Sequence, residues 1–271
     1  MTIMPMSAIK RVVLGATLAC VAGALCAGQA ALGPAYVHGG IVRGDRAAKR
    51  LALVFTGHEF AEGGTVILDA LAARGARASF FLTGDFVRNP GFAPLIRRMV
   101  AEGHYVGPHS DKHLLYAAWD NRDRTLVSRG AFTRDLDDNL AELARFDVRR
   151  RDVRYWVPPY EWWNAEVAGW SREAGLQIIG FSAGTRANAD YTGESDPRFV
   201  ASATIRESIA RQLDAPDGMN GFILLMHLGA GPGRGDKWHT HVPELIGTLQ
   251  SRGYALVRVD ELLDTSTAGL P

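Results

Sequence analysis

Hydrophobic residues recur along the chain in short continuous runs, and segments of helical spacing separate these runs. Runs rich in branched and aromatic side chains predict strands at 51–55, 78–82, 104–106, 154–157, 177–181, 221–226 and 255–259. Apolar residues three or four positions apart predict helices at 65–71, 92–101, 132–146, 165–174, 205–213 and 242–250. Glycines typical of helix ends follow four of these segments, at Gly75, Gly103, Gly175 and Gly253.

This alternation predicts an α/β fold with a parallel sheet and crossover helices. Seven strands and six or seven helices in about 220 residues fit a distorted (β/α)7-type barrel, with an open doubly wound sheet as the less favoured arrangement. In either architecture the residues directly after each strand converge at one rim. His58, His109, Tyr160 and His227 all occupy such positions, so we expect a functional site there.

The N-terminus has the pattern of a secretory signal. Lys10 and Arg11 precede an apolar stretch of small residues at 12–27, which is too short for a comfortable membrane span. Cleavage after Cys26 or after Ala30 fits the pattern, and an uncleaved membrane anchor is the alternative. We therefore predict a signal peptide at 1–30, an N-terminal extension at 31–48 and a catalytic domain at 49–264.

The predicted signal peptide contains both cysteines, Cys20 and Cys26, so a cleaved chain has none and relies on its apolar core. Neither cysteine follows a convincing lipoprotein signal, although a lipid-anchored form stays open. We predict a secreted or periplasmic protein with no stable membrane span after cleavage.

The charges of the chain nearly cancel, with 30 basic and 29 acidic residues among 271. No long basic run is present, which argues against a nucleic-acid partner. The chain is 47% hydrophobic, enough for one sizeable core. Composition gives no information on the oligomeric state.

A histidine pair, His109 and His113, directly follows one predicted strand. We expect the two imidazoles, four residues apart, to project from one side of a helical turn and to bind one metal ion. His58, Glu59 and His227 follow other strands. A metal site assembled from several strand ends is typical of hydrolases.

These motifs, in this order, resemble those of the polysaccharide deacetylases, the NodB-homology group also called carbohydrate esterase family 4. Residues 109–113 match its His-Ser/Thr-x-x-His motif, 156–160 its Arg-Pro-Pro-Tyr segment and 224–227 its Leu-x-His motif. The resemblance covers about residues 50–262. It implies a distorted (β/α) barrel, a divalent metal that is usually zinc, and removal of acetyl groups from amino sugars or other glycans.

The first motif departs from the family's usual Thr-Phe-Asp-Asp. Thr56 and Gly57 stand where the two aspartates are expected, and we predict that His58 and Glu59 replace them. Val157 stands where the family has an arginine. The chain therefore resembles a divergent subgroup.

The segment 184–190 also departs from the family pattern. It lacks the usual Asp-rich motif, so Asp190 is only a weak candidate for orienting His227. Arg186 is a candidate to replace the charge of the missing arginine.

A zinc ion held by three protein ligands polarises a carbonyl and activates water. We expect His109 and His113 as two ligands and favour His58 as the third, with Glu59 as general base. The reverse assignment, Glu59 as ligand and His58 as base, stays open.

Two further residues have predicted catalytic roles. His227 would protonate the leaving nitrogen or oxygen, and the backbone N–H of Tyr160 would bind the oxyanion. The segment that follows the proline pair, residues 160–164, adds a predicted sugar surface through Tyr160, Glu161, Trp162 and Trp163, because aromatic faces stack on pyranose rings. We expect one of the two tryptophans in the cleft, not both.

The sequence thus predicts a metal-dependent hydrolase that removes acetyl groups from a glycan. An inactive carbohydrate-binding barrel and a metal-dependent amidase for a non-sugar amide are the alternatives. The glycan itself, and the choice between N- and O-deacetylation, stay open.

Overall fold

The structure, a computed structural model, describes residues 33–264, so the predicted signal peptide lies outside it. Its strands are β1 Ala35–Val37, β2 Gly40–Arg43, β3 Arg50–Gly57, β4 Ser79–Leu82, β5 Tyr105–Pro108, β6 Tyr155–Trp156, β7 Gln177–Ile178, β8 Phe222–His227 and β9 Ala255–Leu256. Its α-helices are α1 Gly64–Ala73, α2 Gly84–Arg88, α3 Ala93–Ala101, α4 Arg129–Ala144, α5 Ala165–Glu173, α6 Ser202–Leu213, α7 Val242–Ser251 and α8 Val259–Leu263. Short 3-10 turns cover Pro90–Phe92, Arg150–Asp152, Pro159–Glu161, Ala187–Ala189 and Trp238–His241. None of the helices between residues 33 and 264 is long and apolar enough to cross a membrane.

A five-stranded parallel sheet forms the centre of the domain. Its strands lie in the order β5-β4-β3-β8, and β9 pairs with the beginning of β3. Residues 51–57 of β3 are all buried, which explains why this strand reads as a continuous apolar run rather than an alternating one. The carboxyl ends of β3, β4, β5 and β8 therefore lie side by side at one rim.

A second parallel sheet, β6 with β7, is linked to the first by one backbone–backbone hydrogen bond on each side, with side-chain bonds from Tyr105 and Ser182 in addition. On one side the Val157 N–H donates to the Pro108 carbonyl at 3.3 Å, and on the other the Ser182 N–H donates to the Ile223 carbonyl at 3.0 Å. Within the described residues no continuous ladder closes the ring. The strand arrangement is therefore a distorted barrel, with β6 and β7 as its short side.

An antiparallel hairpin, β1 with β2, packs on this short side and was not predicted. Ile41 is 6% exposed, and its carbonyl accepts a hydrogen bond from the Gly180 N–H at 2.8 Å. A Cβ atom at Gly40 would lie 2.5 Å from the ring of Trp163, and one at Gly180 would lie 2.6 Å from it. Glycine at these positions lets two backbones lie directly against the indole.

Three predicted strands are much shorter in the structure than expected from the sequence, and one of them, the run at 154–157, has only β6. The run at 177–181 has only β7, and the run at 255–259 ends after β9 because Val259 begins α8. The Val259 N–H donates to Ser79 Oγ at 2.9 Å and the Arg258 N–H to the Glu261 carboxylate at 3.0 Å. These bonds satisfy the free amides of a helix start, which explains why the chain leaves the strand there.

A long segment between β7 and α6 is fixed by one fully buried cation. Arg234 is 0% exposed and donates to the carbonyls of Thr192 and Val200, each at 2.9 Å. It also donates to the Asp236 carbonyl at 2.5 Å. The segment carries Asp190, so Arg234 fixes the backbone that follows this acid.

Candidate active site

The rim encloses a cavity of about 890 Å³. All of the predicted site residues border it, namely His58, Glu59, His109, His113, Tyr160, Glu161, Trp162, Trp163 and His227. Thr56, from the end of β3, borders it as well. The parallel strands explain the convergence, because residues after each strand end lie at the same edge.

The predicted helical turn between His109 and His113 is wrong. The segment is an open loop in which Ser110 and His113 have left-handed backbone angles, φ 75° and φ 55°. The rings nevertheless meet, with centroids 5.1 Å apart. A bend with two left-handed residues, rather than a helical turn, therefore brings the two imidazole rings together.

Side chains of α4 explain the shape of this loop. The Asp135 carboxylate accepts the N–H groups of Asp111 at 3.2 Å and Lys112 at 3.0 Å. Asn139 accepts the His109 N–H at 2.9 Å. These amides bond to α4 instead of to carbonyls of their own turn, so no helix forms.

Both histidines of the pair are electrically neutral. The Nδ1–H of His109 donates to the Val157 carbonyl at 2.7 Å, which leaves Nε2 with a free lone pair. Burial, followed by the charge of His113, holds the pKa of His109 well below its usual range. Burial, with His58 and His227 nearby, lowers the pKa of His113 to about 3. Neutral imidazole is the form that binds metal.

His58 lies against this pair. Its ring stacks on that of His113, with centroids 4.4 Å apart and planes 10° apart, and its Nδ1 lies 3.2 Å from Thr83 Oγ1. In the described part of the chain, no three His, Cys, Asp or Glu side chains surround one metal position. The chemistry of the donor set, three imidazoles in ring contact with two of them neutral, nevertheless fits a zinc ion.

The first motif places an unpaired hydroxyl at the cavity. Thr56 is 2% exposed and its Oγ1 has no hydrogen-bond partner among the described residues. A buried hydroxyl without a partner costs about 1–3 kcal/mol, so Thr56 Oγ1 is suited to bond to a water or ligand in the cavity. At Gly57 a Cβ atom would lie 2.9 Å from the side chains of Leu228 and Phe86, so this position has no room for a carboxylate.

His227 is hydrogen-bonded to Asp190, which the sequence alone supports only weakly as its partner. Asp190 accepts the His227 Nδ1–H at 2.6 Å and the His227 backbone N–H at 3.0 Å. Burial alone lowers the pKa of His227, but the charge of Asp190 and its hydrogen bond outweigh this and raise that pKa above its usual value. His227 is therefore suited to donate a proton through Nε2.

Replacing Asp190 with asparagine is expected to remove this effect. The pKa of His227 should fall, so its protonated form should be lost at a lower pH than in the wild type. If His227 is the proton donor, the alkaline limb of the pH–rate profile moves to lower pH and kcat falls about tenfold or more. Rates of the variant measured from pH 5 to 10 test this, and an unmoved alkaline limb would exclude His227 as the donor.

The turn after β6 is strained. Tyr160 and Glu161, which follow Pro158 and Pro159, have consecutive left-handed backbone angles of φ 61° and φ 49°. Within residues 33–264 the Tyr160 N–H donates to no other group, whereas the Glu161 N–H donates to the Pro158 carbonyl at 3.0 Å. The free Tyr160 amide can therefore donate to a ligand in the cavity.

Glu161 was predicted only as a sugar contact, but its surroundings differ from those of a surface carboxylate. The side chain is half-buried. The pKa of Glu161 is raised to about 7. Burial is the main cause, while the neighbouring His227 acts to lower this pKa and Asp190 acts to raise it. The raised pKa of Glu161 comes from its surroundings in the folded domain, and no pattern in the sequence indicates it.

Aromatic rings form one side of the cavity. Trp162 contacts the exposed Trp119, with centroids 5.2 Å apart, and the guanidinium of Arg122 lies 3.9 Å from the Trp162 ring centre. Trp163 is 2% exposed, and its Nε1–H donates to the Val37 carbonyl at 3.2 Å. Trp162 therefore presents accessible ring surface, whereas Trp163 is mostly part of the barrel wall.

Comparison with known proteins identifies the family. The family described as polysaccharide deacetylase matches residues 43–179. The chain belongs to this family. A peptidoglycan-N-acetylglucosamine deacetylase of Listeria monocytogenes is 31% identical over 222 residues, which cover 79% of this chain and 39% of the relative. The matched region thus spans well under two-thirds of that relative's length.

One further relative and one solved structure match this chain over most of their own length. A chitooligosaccharide deacetylase of Sinorhizobium fredii is 34% identical over 200 residues, 70% of this chain and 80% of the relative. The structure of Bacillus subtilis PdaA, a family 4 carbohydrate esterase, superposes with a TM-score of 0.66 at 22% identity, covering 83% of this chain and 85% of that one. This likeness confirms the predicted fold class.

Arg186, the candidate to replace the charge of the missing arginine, is not part of the cavity lining. Its side chain is exposed, although Ala183 and Asn188 of the same segment do border the cavity. Arg122 and Arg198 border the cavity instead. Their positions depend on loops far apart in sequence, so neither was predicted in this polysaccharide deacetylase.

Proposed function

We propose that this chain is a metal-dependent hydrolase that removes acetyl groups from a glycan of N-acetylated amino sugars. The observation that carries the proposal is the convergence of three histidine rings, His58, His109 and His113, with the His227–Asp190 pair in one cavity. The aromatic surface around Trp162 suits pyranose rings. The two curated relatives compared above are named for peptidoglycan-N-acetylglucosamine and chitooligosaccharide deacetylation.

His58, His109 and His113 would hold the divalent metal, for which Zn²⁺ is the ion best suited to imidazole ligands. When bound, the metal supplies Lewis-acid polarisation of the acetyl carbonyl and lowers the pKa of water toward about 7. The hydrogen bond from His109 Nδ1 to Val157 orients one ligand ring, as such bonds do in metal sites.

The other residues bind and move protons. His227 donates its Nε2 proton to the leaving nitrogen or oxygen, and the free Tyr160 amide donates to the oxyanion. A base must accept a proton from the attacking water, and two glutamates, Glu59 and Glu161, border the cavity. We further propose that the domain acts outside the cytoplasm, in keeping with the signal predicted at 1–30.

Acetate release from a substrate panel tests this function. The panel contains chitin oligosaccharides, peptidoglycan, O-acetylated plant polymers and small non-sugar acetamides, each with chelated enzyme and with added Zn²⁺. We expect zinc-dependent release from the amino-sugar substrates. Glycan binding without any release would indicate an inactive binding barrel, and release from acetamides alone would indicate an amidase.

A further inference from the structure

We propose that Glu161, rather than Glu59, is the general base that takes the proton from the attacking water. This inference rests on the proposed function, since it assigns a role within that reaction. Glu161 was predicted from the sequence only to hydrogen-bond the sugar. Three observations support the new role, namely its position, its freedom from partners and its electrostatic surroundings.

The position of Glu161 is fixed by its backbone. Pro158 and Pro159 precede the left-handed pair Tyr160 and Glu161, and the Glu161 N–H is bonded to the Pro158 carbonyl. The side chain borders the same cavity as the histidine rings, next in sequence to the proposed oxyanion donor. A base and an oxyanion donor on adjacent residues can address the same carbonyl group.

The Glu161 carboxylate has no partner that would occupy it. Among residues 33–264 it forms no hydrogen bond and no ion pair with another side chain. Several other half-buried acids of the domain are paired, such as Glu102 with Arg98 at 2.7 Å and Asp260 with Arg258 at 2.7 Å. A half-buried carboxylate without a partner loses part of its hydration, which costs free energy. Such carboxylates are concentrated in active sites, where the resulting pKa shift serves catalysis.

Glu59 lies in a different setting. Its side chain is 67% exposed, and its Oε1 is 4.0 Å from the Nε2 of His58, a proposed ligand. Water solvates such a carboxylate well and therefore weakens it as a base in the cavity. Its nearest charged or titratable neighbour in the site is the His58 ring.

The charges around Glu161 favour proton exchange near neutral pH. Burial raises its pKa to about 7, and the groups that act on it are His227, which lowers the pKa, and Asp190, which raises it. Tyr191, whose ring contacts His227 at 4.6 Å, is the other titratable group coupled to Glu161. A base with a pKa near the working pH is the most effective one.

The proposed step balances in atoms and protons. Glu161 takes one proton from water while the water oxygen bonds to the acetyl carbon and the carbonyl π pair moves to its oxygen. The adduct then collapses, the bond to the sugar nitrogen or oxygen breaks, and His227 gives that atom its proton. The proton on Glu161 then restores His227, and the products are acetic acid and the deacetylated sugar.

Glu161→Gln, Glu59→Gln and Glu207→Gln form a matched set for the test. Glu207 lies on α6 with a 68% exposed side chain and serves as the control. We expect Glu161→Gln to keep its metal content and melting temperature while kcat falls by about 10²–10⁴, the usual contribution of a positioned base. Glu59→Gln should remain at least tenfold more active than Glu161→Gln, because Glu59 is not the proposed base.

A pH profile separates a base from a merely structural residue. Because the base must be deprotonated, the wild-type rate should fall as the pH drops below about 7. Glu161→Gln should lack this acid limb, whereas Glu161→Asp should retain it at reduced kcat.

Two results would overturn the assignment, namely near-wild-type kcat in Glu161→Gln or an equal or larger loss in Glu59→Gln. A failure of the proposed function looks different, since the wild type itself would then release no acetate.

Discussion

Alanine at His109 or His113 is expected to empty the metal site and to lower kcat/KM by about 10³-fold or more, because a metal contributes several kcal/mol to charge stabilisation in the transition state. The His109 ring is buried and the His113 ring is half-buried, burial lowers the pKa of both, and the Nε2 of His109 has no competing proton. His58→Ala should likewise lose metal affinity and activity together, since two protein ligands make a weak zinc site. Elemental analysis and acetate release of each variant provide the measurements.

His38→Ala is the control for this series. His38 is exposed in the turn between β1 and β2, so its removal should change neither metal content nor activity. Equal metal content in the wild type and in the His109 and His113 variants would place the metal elsewhere. If His58→Ala keeps its metal and is only slow, while Glu59→Gln empties the site, the third ligand is Glu59.

Replacing Arg234 with methionine is expected to lower the free energy of unfolding by about 3 kcal/mol, because buried carbonyls lose a charged donor. Methionine keeps the unbranched stem of the side chain but leaves the Thr192 and Val200 carbonyls without that bond. Since the same segment carries Asp190, we also expect a lower kcat. Urea denaturation and acetate release measure the two effects.

The matched control for Arg234 is Arg211→Met. Arg211 lies on α6 with a 69% exposed side chain, so its loss should change the free energy of unfolding by no more than about 0.5 kcal/mol. A loss below about 1 kcal/mol in Arg234→Met would mean that the carbonyls find other donors or that the segment is held without this cation.

The fold was predictable because its strongest signals are local. β3, β4 and β8 are buried strands and read as continuous apolar runs, and glycines follow the helices between them. The β1–β2 hairpin was not predictable in this way. Its strands are three and four residues long, and their contacts with Trp163 and Gly180 depend on residues more than 120 positions away.

The site residues were predictable to the extent that strand ends mark them. His58 follows β3, His109 follows β5 and His227 ends β8, and all three border the cavity. The arrangement within the site was not predictable. The loop after β5 is shaped by Asp135 on a distant helix, and the raised pKa of Glu161 comes from burial among groups brought together only by folding.

The left-handed turn at Tyr160 and Glu161 also bears on how this chain can change over evolutionary time. Each non-glycine residue in that conformation costs on the order of 1–2 kcal/mol relative to glycine. Backbone strain alone would therefore favour glycine at both positions. If both side chains serve the proposed reaction, the pair exchanges stability for activity, and relatives that have lost this activity are expected to carry glycine more often at 160 and 161.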